Sequence, residues 1–575
     1  MWCASPASTP RRRWLPRALA ALPALPALPA LPALPARPAR PARSTLLALL
    51  ALAAAVPAAC APAADRLPAA PGDVVVLASG ADLESANPLV TVHPMARQVQ
   101  RFALFVTLTQ VDSALRPIPY FARHWRWSRD RRALTFTLER TLRWHDGTPT
   151  TARDVAFTLE AARDPATASP RAPDLEWLER VEVLDDSTIT LIARRPLAGV
   201  PAVLAELPIV PAHRLAGVKR DAFRRDAFAT APLGNGPFVF RQRRAGERWI
   251  FDRNPDFPAS MGGAPRIGRL VVAVVDEPTT KFAGLVSGDL DMAGISPTMA
   301  PLVARDPTLA VRSYPVTFSY ALVFNTTRPP FDDVRVRRAV SAAIDRERIV
   351  QVALAGFGTP ATSPVPPEHP LAAGGARHAP PPDPQGAERA LDAAGWRLAP
   401  DGVRVRDAIP LRVTLLTVGS GDNALEQLVQ GDLRRVGIAV EIRQLELGAF
   451  LVEARAATKR FDALVTGIPG DLALGHLAGM FDGAQRGGAL DYAGYHDRAL
   501  DAAFAATRSA SDEASLRAAW DDVQRRLDAA APVAWLYHAR GVQGVNRRLR
   551  GVRFDLRGEL ATLHDWTIAH GGGAP

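Results

Sequence analysis

The run Pro330-Phe331-Asp332-Asp333-Val334-Arg335-Val336-Arg337-Arg338-Ala339-Val340-Ser341-Ala342-Ala343-Ile344-Asp345-Arg346, with Asn325 five residues ahead of it, carries more structural information than any other stretch of the chain. Asp332 and Asp333 stand where a helix wants its N-cap, and Val336, Ala339, Val340 and Ala343 recur at helical spacing to give one apolar face. Asp345 restarts the pattern, and Ile349, Val350, Ala353 and Leu354 continue it to Gly356, the residue type that most readily ends a helix in the left-handed conformation. The spacing therefore predicts two consecutive helices with one buried face each.

Working outward, the bounds are those of a large globular chain. At 575 residues and 48% hydrophobic content it is long enough for several cores. The formal charge of +11 invites a nucleic-acid partner, but residues 1–59 hold seven Arg and no Lys, Asp or Glu, and without them the balance falls to +4. No nucleic-acid partner is expected of so balanced a folded part.

Residues 1–60 read as a targeting segment. Arg-rich sequence up to Arg43 precedes an apolar run from Leu46 to Val56, which has signal-peptide length and is short for a membrane span. The Ala-Leu-Pro repeat of residues 21–35 cannot form a stable helix, because each interior proline costs about 3 kcal/mol. Cys60 follows directly, in Val56-Pro57-Ala58-Ala59-Cys60, which resembles a lipobox and makes Cys60 the expected lipidation site; Pro57 departs from the usual aliphatic residue. Cys3 lies in the segment to be removed, so the mature chain has at most one Cys and neither an internal disulfide nor a Cys-based metal site.

Residues 61–72 are Ala/Pro-rich and read as a flexible tether, and Val74-Val75-Val76-Leu77 is the first strand candidate. Leu134, Phe136 and Leu138 alternate with polar residues, Trp144 to Thr148 supplies a turn, and Thr151 with Asp154 forms a capping box opening a helix through Val155, Phe157 and Leu159. Gly234-Asn235-Gly236-Pro237-Phe238 introduces a hairpin pattern ending at Arg253-Asn254-Pro255, and Leu270 to Val275 reads as a buried strand.

Catalytic spacings are missing. No Gly-x-Ser-x-Gly, His-Glu-x-x-His or Gly-x-x-x-x-Gly-Lys-Ser/Thr occurs, and Val239 stands where a dinucleotide loop begun by Gly234-Asn235-Gly236 would need its third glycine. His145-Asp146 and His564-Asp565 read as a turn and a strand end, and His476, His496 and His538 as scattered surface residues, so no metal site, cofactor or enzymatic activity is expected.

The ordered series of motifs resembles family 5 extracellular solute-binding proteins, the peptide- and nickel-type receptors of ABC importers. The resemblance runs through Leu83 to Leu89, Trp125 to Thr158, Gly234 to Pro255, Leu285 to Met292, Asn325 to Arg346 and Ala387 to Trp396, and covers nearly everything from residue 73 to 566. It implies an α/β, two-lobed periplasmic binding protein fold (type II, cluster C-like) with an extra inserted domain and a hinged interlobe cleft. Carried onto this chain, the first lobe takes residues 73–105, 231–315 and 536–570, the inserted domain 106–230 and the second lobe 316–535, with crossovers near Val316 and Ala534 acting as the hinge.

The resemblance also implies a site. In dipeptide- and oligopeptide-type members a strand is followed by Gly-Trp-x-x-Asp, whose Asp pairs with the ligand's ammonium group; Gly467 and Asp471 match that spacing, with Ile468 in place of the aromatic residue. Asp471, Gly470 and Ile468 are therefore the expected ligand-binding residues. Asn423 and Ala424 occupy the place of the arginine that clamps a ligand carboxylate in dipeptide-type members. The implied function is a monomeric, exported, lipid-anchored receptor that captures a small solute, first of all a peptide, and delivers it to an ABC permease and ATPase. The alternatives are a nickel chelate, haem or an opine as the solute, a non-transport sensor or periplasmic chaperone on the same fold, and an exported hydrolase with a dispersed triad.

Overall fold

The computed structural model describes residues 73–374, 379–419, 423–456 and 458–569. Cys60, the targeting segment and the tether lie outside the described residues. One mixed sheet runs through the molecule, and its strand order is Ala439–Leu445, Arg412–Val418, Ala463–Pro469, Leu309–Phe324, Val533–Asn546, Met292–Gly294, Val74–Ser79, Arg269–Val274, Arg248–Arg253, Phe238–Arg244. Two long strands, Leu309–Phe324 and Val533–Asn546, lie antiparallel at its centre and belong to both halves. Ala310 to Pro315 pair with Arg540 to Val545, beside Met292–Gly294. Beyond a register shift, Ser319 to Val323 pair with Val533 to His538, beside Ala463–Pro469.

That shift falls between Pro315/Arg540 and Ser319/His538. Pro315 has no N–H to give the ladder, so pairing is interrupted where the chain passes from one half to the other. On the first strand this coincides with Val316. The second crossing point lies at His538–Arg540 rather than near Ala534, which pairs with Leu322 well inside the second half.

Helices cover both faces of the second half's sheet, because successive strand residues point to opposite sides. Leu322, Phe324 and Val465 pack with Val336, Val340, Ile349, Val429 and Leu433 on one face. Val323, Leu464 and Ile468 pack with Phe450, Phe481, Phe504 and Trp520 on the other. In the first half a four-stranded antiparallel sheet, in the order Ala122–Trp127, Ala133–Leu138, Thr188–Ala193, Leu178–Asp185, stands apart from the main sheet. Its inward residues Phe136, Ile189 and Leu191 nonetheless share one continuous core with Val75, Trp249, Phe251 and Leu270.

The opening motif folds as its pattern predicts. Asp333 caps the Val334–Ala343 helix by accepting from Arg335 N at 2.8 Å, and Asp345 caps Arg346–Leu354 by accepting from Arg348 N at 2.9 Å. The second helix ends on two left-handed residues, Ala355 at φ 49° and Gly356 at φ 84°, so the reversal begins one residue before the glycine. Arg335 pairs with Asp333, whereas Arg337, Arg338 and Arg346 serve backbone carbonyls. Arg337, buried, donates to Phe331 O at 2.8 Å and to Ala530 O at 2.6 Å, tying this helix to the carbonyl end of the long Glu513–Ala530 helix. Asn325, fully buried, donates to Phe461 O at 2.9 Å and accepts from Thr327.

Candidate functional site

A cavity of about 710 Å³ opens where the two long strands cross between the halves. Its volume is in the range of sites that enclose small molecules. The first half supplies the end of the first strand (Ser79 to Ala81), the Pro94–Val99 helix with its continuation, and the Asp555 to Glu559 loop; the crossing strand supplies Tyr314 to Phe318, and the second half Pro469 to Leu472.

Of the residues expected from sequence, Gly470 and Asp471 line this cavity and Ile468 does not. Ile468 is 1% exposed and packs in the core with Leu474 and Leu477. Alternation along the Ala463–Pro469 strand turns it away from the cleft, so Ile468 is corrected from ligand contact to core residue. Gly470 donates to Thr317 O at 2.7 Å, and a Cβ added there would stand 3.1 Å from that oxygen. A side chain here would press on the crossing strand, so glycine suits the close approach of the second half's turn.

Asp471 faces the cavity with its carboxylate already engaged. Oδ1 accepts from Ala473 N at 2.8 Å and Gly475 N at 3.0 Å; Oδ2 accepts from His476 N at 2.9 Å and lies 3.3 Å from His476 Nδ1. It thus closes the turn onto the first residues of the Gly475–Phe481 helix. A carboxylate offers about four acceptor sites; three are filled here by backbone N–H groups, and His476 Nδ1 stands beside the fourth. Burial alone would raise its pKa, but the His476 hydrogen bond and charge, with the Gly475 and His476 N–H groups, hold it well below the usual carboxylate range.

This carboxylate therefore contributes stability that is present above the ordinary Asp value and is lost as pH falls through the depressed native one. Asp471→Asn is expected to flatten the acid limb of a stability-versus-pH curve below about pH 4, as measured by thermal melts from pH 7 down to pH 2.5. An unchanged acid limb would show that the turn does not need the charge.

The cations of the cavity wall come from the first half. His93 caps the Pro94–Val99 helix, accepting from Ala96 N at 3.2 Å, and the chain continues into a π-turn over Gln100–Leu104, closed by Phe105 N donating to Gln100 O at 3.0 Å. Such turns insert one extra residue and recur at functional sites. Arg97 and Arg101, four apart, both reach the cavity. Arg97 pairs with Glu206 at 3.4 Å, and Arg557 pairs with Asp555 at 2.7 Å. Arg101 is 7% exposed, its Nε is buried without a hydrogen-bond partner, and among the described residues no carboxylate lies within ion-pair distance of it, Glu206 acting only at longer range.

The glycine motif braces this turn. Asn235 N and Gly236 N donate to Leu104 O at 3.2 and 2.9 Å, and Asn235 Oδ1 accepts from Val106 N at 3.0 Å. A Cβ on Gly236 would meet Ala103 O at 2.5 Å, so no larger residue fits against the turn that carries Arg101. Glu559 lines the cavity too; its Oε1 accepts from Tyr314 Oη at 2.7 Å, and burial raises its pKa above the usual carboxylate range. Sequence reasoning missed Arg101 and Glu559. The signal available was an Arg pair at i and i+4 on a stretch whose other residues, Ala96, Val99, Ala103 and Leu104, are core.

The remaining polar residues singled out in the sequence are dispersed. His538 is buried rather than on the surface, with Nδ1 2.7 Å from Ser319 Oγ, and burial lowers its pKa to about 4. His496 pairs with Asp491 and His476 with Asp471, so the three histidines do not converge. Among the described residues no group of three His, Cys, Asp or Glu side chains is disposed to hold a metal ion. His145 Nε2 lies 3.0 Å from Gly236 O, and Asp146 bonds His213 at 2.9 Å instead of its sequence neighbour.

Two α/β halves joined by paired crossing strands, with a cavity at the crossing, are the architecture of a solute-binding receptor. The profile described as "Bacterial extracellular solute-binding proteins, family 5 Middle" matches residues 116–478, and the chain belongs to this family. It is 31% identical over 443 residues to Protein XP55 of Streptomyces lividans, covering 75% of this chain and 78% of that protein. It is 27% identical to the Di/tripeptide-binding protein 2 of Pseudomonas aeruginosa, covering 80% and 87% of the two chains. Its fold matches NikZ from Campylobacter jejuni, solved in complex with Ni(L-His), at a TM-score of 0.71 and 22% identity over 87% of this chain and all of that one. Among the described residues no helix is long and apolar enough to cross a membrane.

Proposed function

We propose that this receptor captures a small peptide in the cavity at the crossing strands and delivers it to an ABC permease and its ATPase. The observation that carries the reading is the cavity wall itself: both halves contribute to it, and it sets cationic Arg101 and Lys281 alongside acidic Asp276 and Glu559, a lining suited to a zwitterion. The peptide-binding relative supports the same class of solute. A solute touching both halves binds the closed arrangement better than the open one and shifts that equilibrium, with the interrupted pairing at Pro315 as the point of bending. The permease reads the closed shape. The receptor performs no chemistry on its solute and works as a monomer.

Mass spectrometry of the gently purified protein tests this directly. Co-purifying peptides of a few residues are expected; a co-purifying metal chelate and no peptide would overturn the peptide assignment.

Cys60 is proposed as the lipid attachment point, following the lipobox-like Val56 to Cys60. Cys60→Ser should move the protein from the membrane fraction to the soluble exported fraction, as read by cell fractionation. A variant that stays with membranes would remove the anchor from the account.

A further inference from the structure

We propose that Arg101 is the anion clamp of this receptor, and that the solute it takes carries a carboxylate seated on that guanidinium. The inference rests on the receptor reading above and narrows its substrate class. It goes beyond the sequence-derived expectation, which placed the principal ligand contact at Asp471 and found Asn423 and Ala424 where dipeptide-type members carry their clamping arginine.

Arg101 is a buried charge that lines the cavity, and among the described residues it has no carboxylate in contact; Glu206 acts on it only from beyond ion-pair distance. Its Nε is buried without a hydrogen-bond partner, and its guanidinium carbon lies 4.9 Å from the centre of the Phe102 ring. The acid that acts on it, Glu206, is already paired with other arginines, as are Asp174 and Asp555. Glu206 pairs with Arg97 and Arg171, Asp174 with Arg171 at 3.1 Å, and Asp555 with Arg557. Burial pushes Arg101 down to about 10, which still leaves it protonated at neutral pH. A desolvated cation without a partner is unfavourable in the empty protein, and a ligand anion is what completes it.

The chemistry of that anion follows from the cation. A guanidinium presents a planar fork that matches the two oxygens of a carboxylate. Asp276 and Glu559 also line the cavity, which disfavours a multiply charged anion such as phosphate and favours one carboxylate with an ammonium elsewhere on the same solute. The fork is held in place before binding, since the π-turn beneath it is fixed by Gly234-Asn235-Gly236 and by Gln100 Nε2 donating to Ser85 O at 3.1 Å.

The test uses ligand-stripped wild type, Arg101→Gln and Arg101→Lys, titrated by calorimetry with di- to pentapeptides as free acids and as C-terminal amides. Wild type should bind the free acids, and the amides at least about 30-fold more weakly. Arg101→Gln should lose the free acids by a similar factor with no further loss on the amides, and Arg101→Lys should fall between. The ligand-free Arg101→Gln protein should melt no lower than wild type, because the unpaired charge is gone; a purely structural arginine would lower the melting temperature.

Equal binding of acids and amides, or unimpaired binding of acids by Arg101→Gln, overturns the clamp and leaves the peptide receptor standing. If wild type binds no peptide, the peptide reading fails, and the clamp is judged by acetate and 4-aminobutyrate against chloride at equal ionic strength. Thermal stabilisation by these carboxylates in wild type alone sustains the clamp, and an equal response in Arg101→Gln overturns it.

Discussion

Asp291→Ala is expected to lower folding stability by about 3–5 kcal/mol, the range for removing one partner of a buried ion pair. Asp291 is 1% exposed and joins three separate parts of the first half. Its Oδ2 accepts from Val76 N at 2.9 Å and its Oδ1 from Arg548 Nε at 2.6 Å, while its own N–H donates to Val76 O at 2.7 Å. It sits at the start of the short Met292–Gly294 strand, which is hydrogen-bonded to the first strand on one side and to the second long strand on the other. The side chain therefore ties the first strand, the Met292–Gly294 strand and the segment after the second long strand together within the first half. Denaturant titration should show the loss, with Asp289→Ala, two residues away and exposed, changing stability by no more than about 0.5 kcal/mol. Equal effects from the two substitutions would contradict the role given to Asp291.

The second large effect is expected at Arg346, which is 4% exposed and satisfies backbone from three directions. Its Nε lies 2.8 Å from Ala361 O and 2.7 Å from Trp535 O; Nη1 donates to Ser341 O at 2.8 Å and Nη2 to Ser341 Oγ at 2.8 Å. Burial lowers its pKa to about 10, so the charge persists and is spread over carbonyl dipoles instead of a carboxylate. Arg346→Leu strips donors from several buried acceptors at about 1–3 kcal/mol each, and a total of about 3–5 kcal/mol is expected. Arg346→Lys keeps the charge but loses the fork, and should recover only part of it. Thermal or denaturant melts of the two variants decide this. A fully stable Arg346→Leu protein would show that these carbonyls find other donors.

These two residues also indicate what a reader of the sequence can and cannot see. The Ala343-Ile344-Asp345-Arg346 run was legible as a helix boundary, because capping by Asp345 and apolar spacing are local properties. That Arg346 reaches Trp535, far along the chain, was not legible. The same division holds at the site. The strand leading to Asp471 was legible from its apolar run, yet the side on which Ile468 falls depends on strand parity, which the following Gly/Pro turn hides. Asp471 was singled out for its spacing, and only the helix beginning at Gly475 reveals that its oxygens are taken. Arg101 is not legible because its lack of a contacting carboxylate is a tertiary fact: Glu206 pairs with Arg97 and Arg171 and acts on Arg101 only at longer range.

The measurement that bears most directly on the central claim is a thermal-shift and calorimetry series on the ligand-stripped protein with di- to pentapeptides, nickel–histidine, haem and opines. Tight binding to the native state at a thousandfold excess over Kd adds about 4 kcal/mol of stability. The account predicts a large upward shift with free-acid peptides. No shift with any of these solutes, from folded and empty protein, would contradict a receptor that closes around a small solute at the crossing of its two long strands.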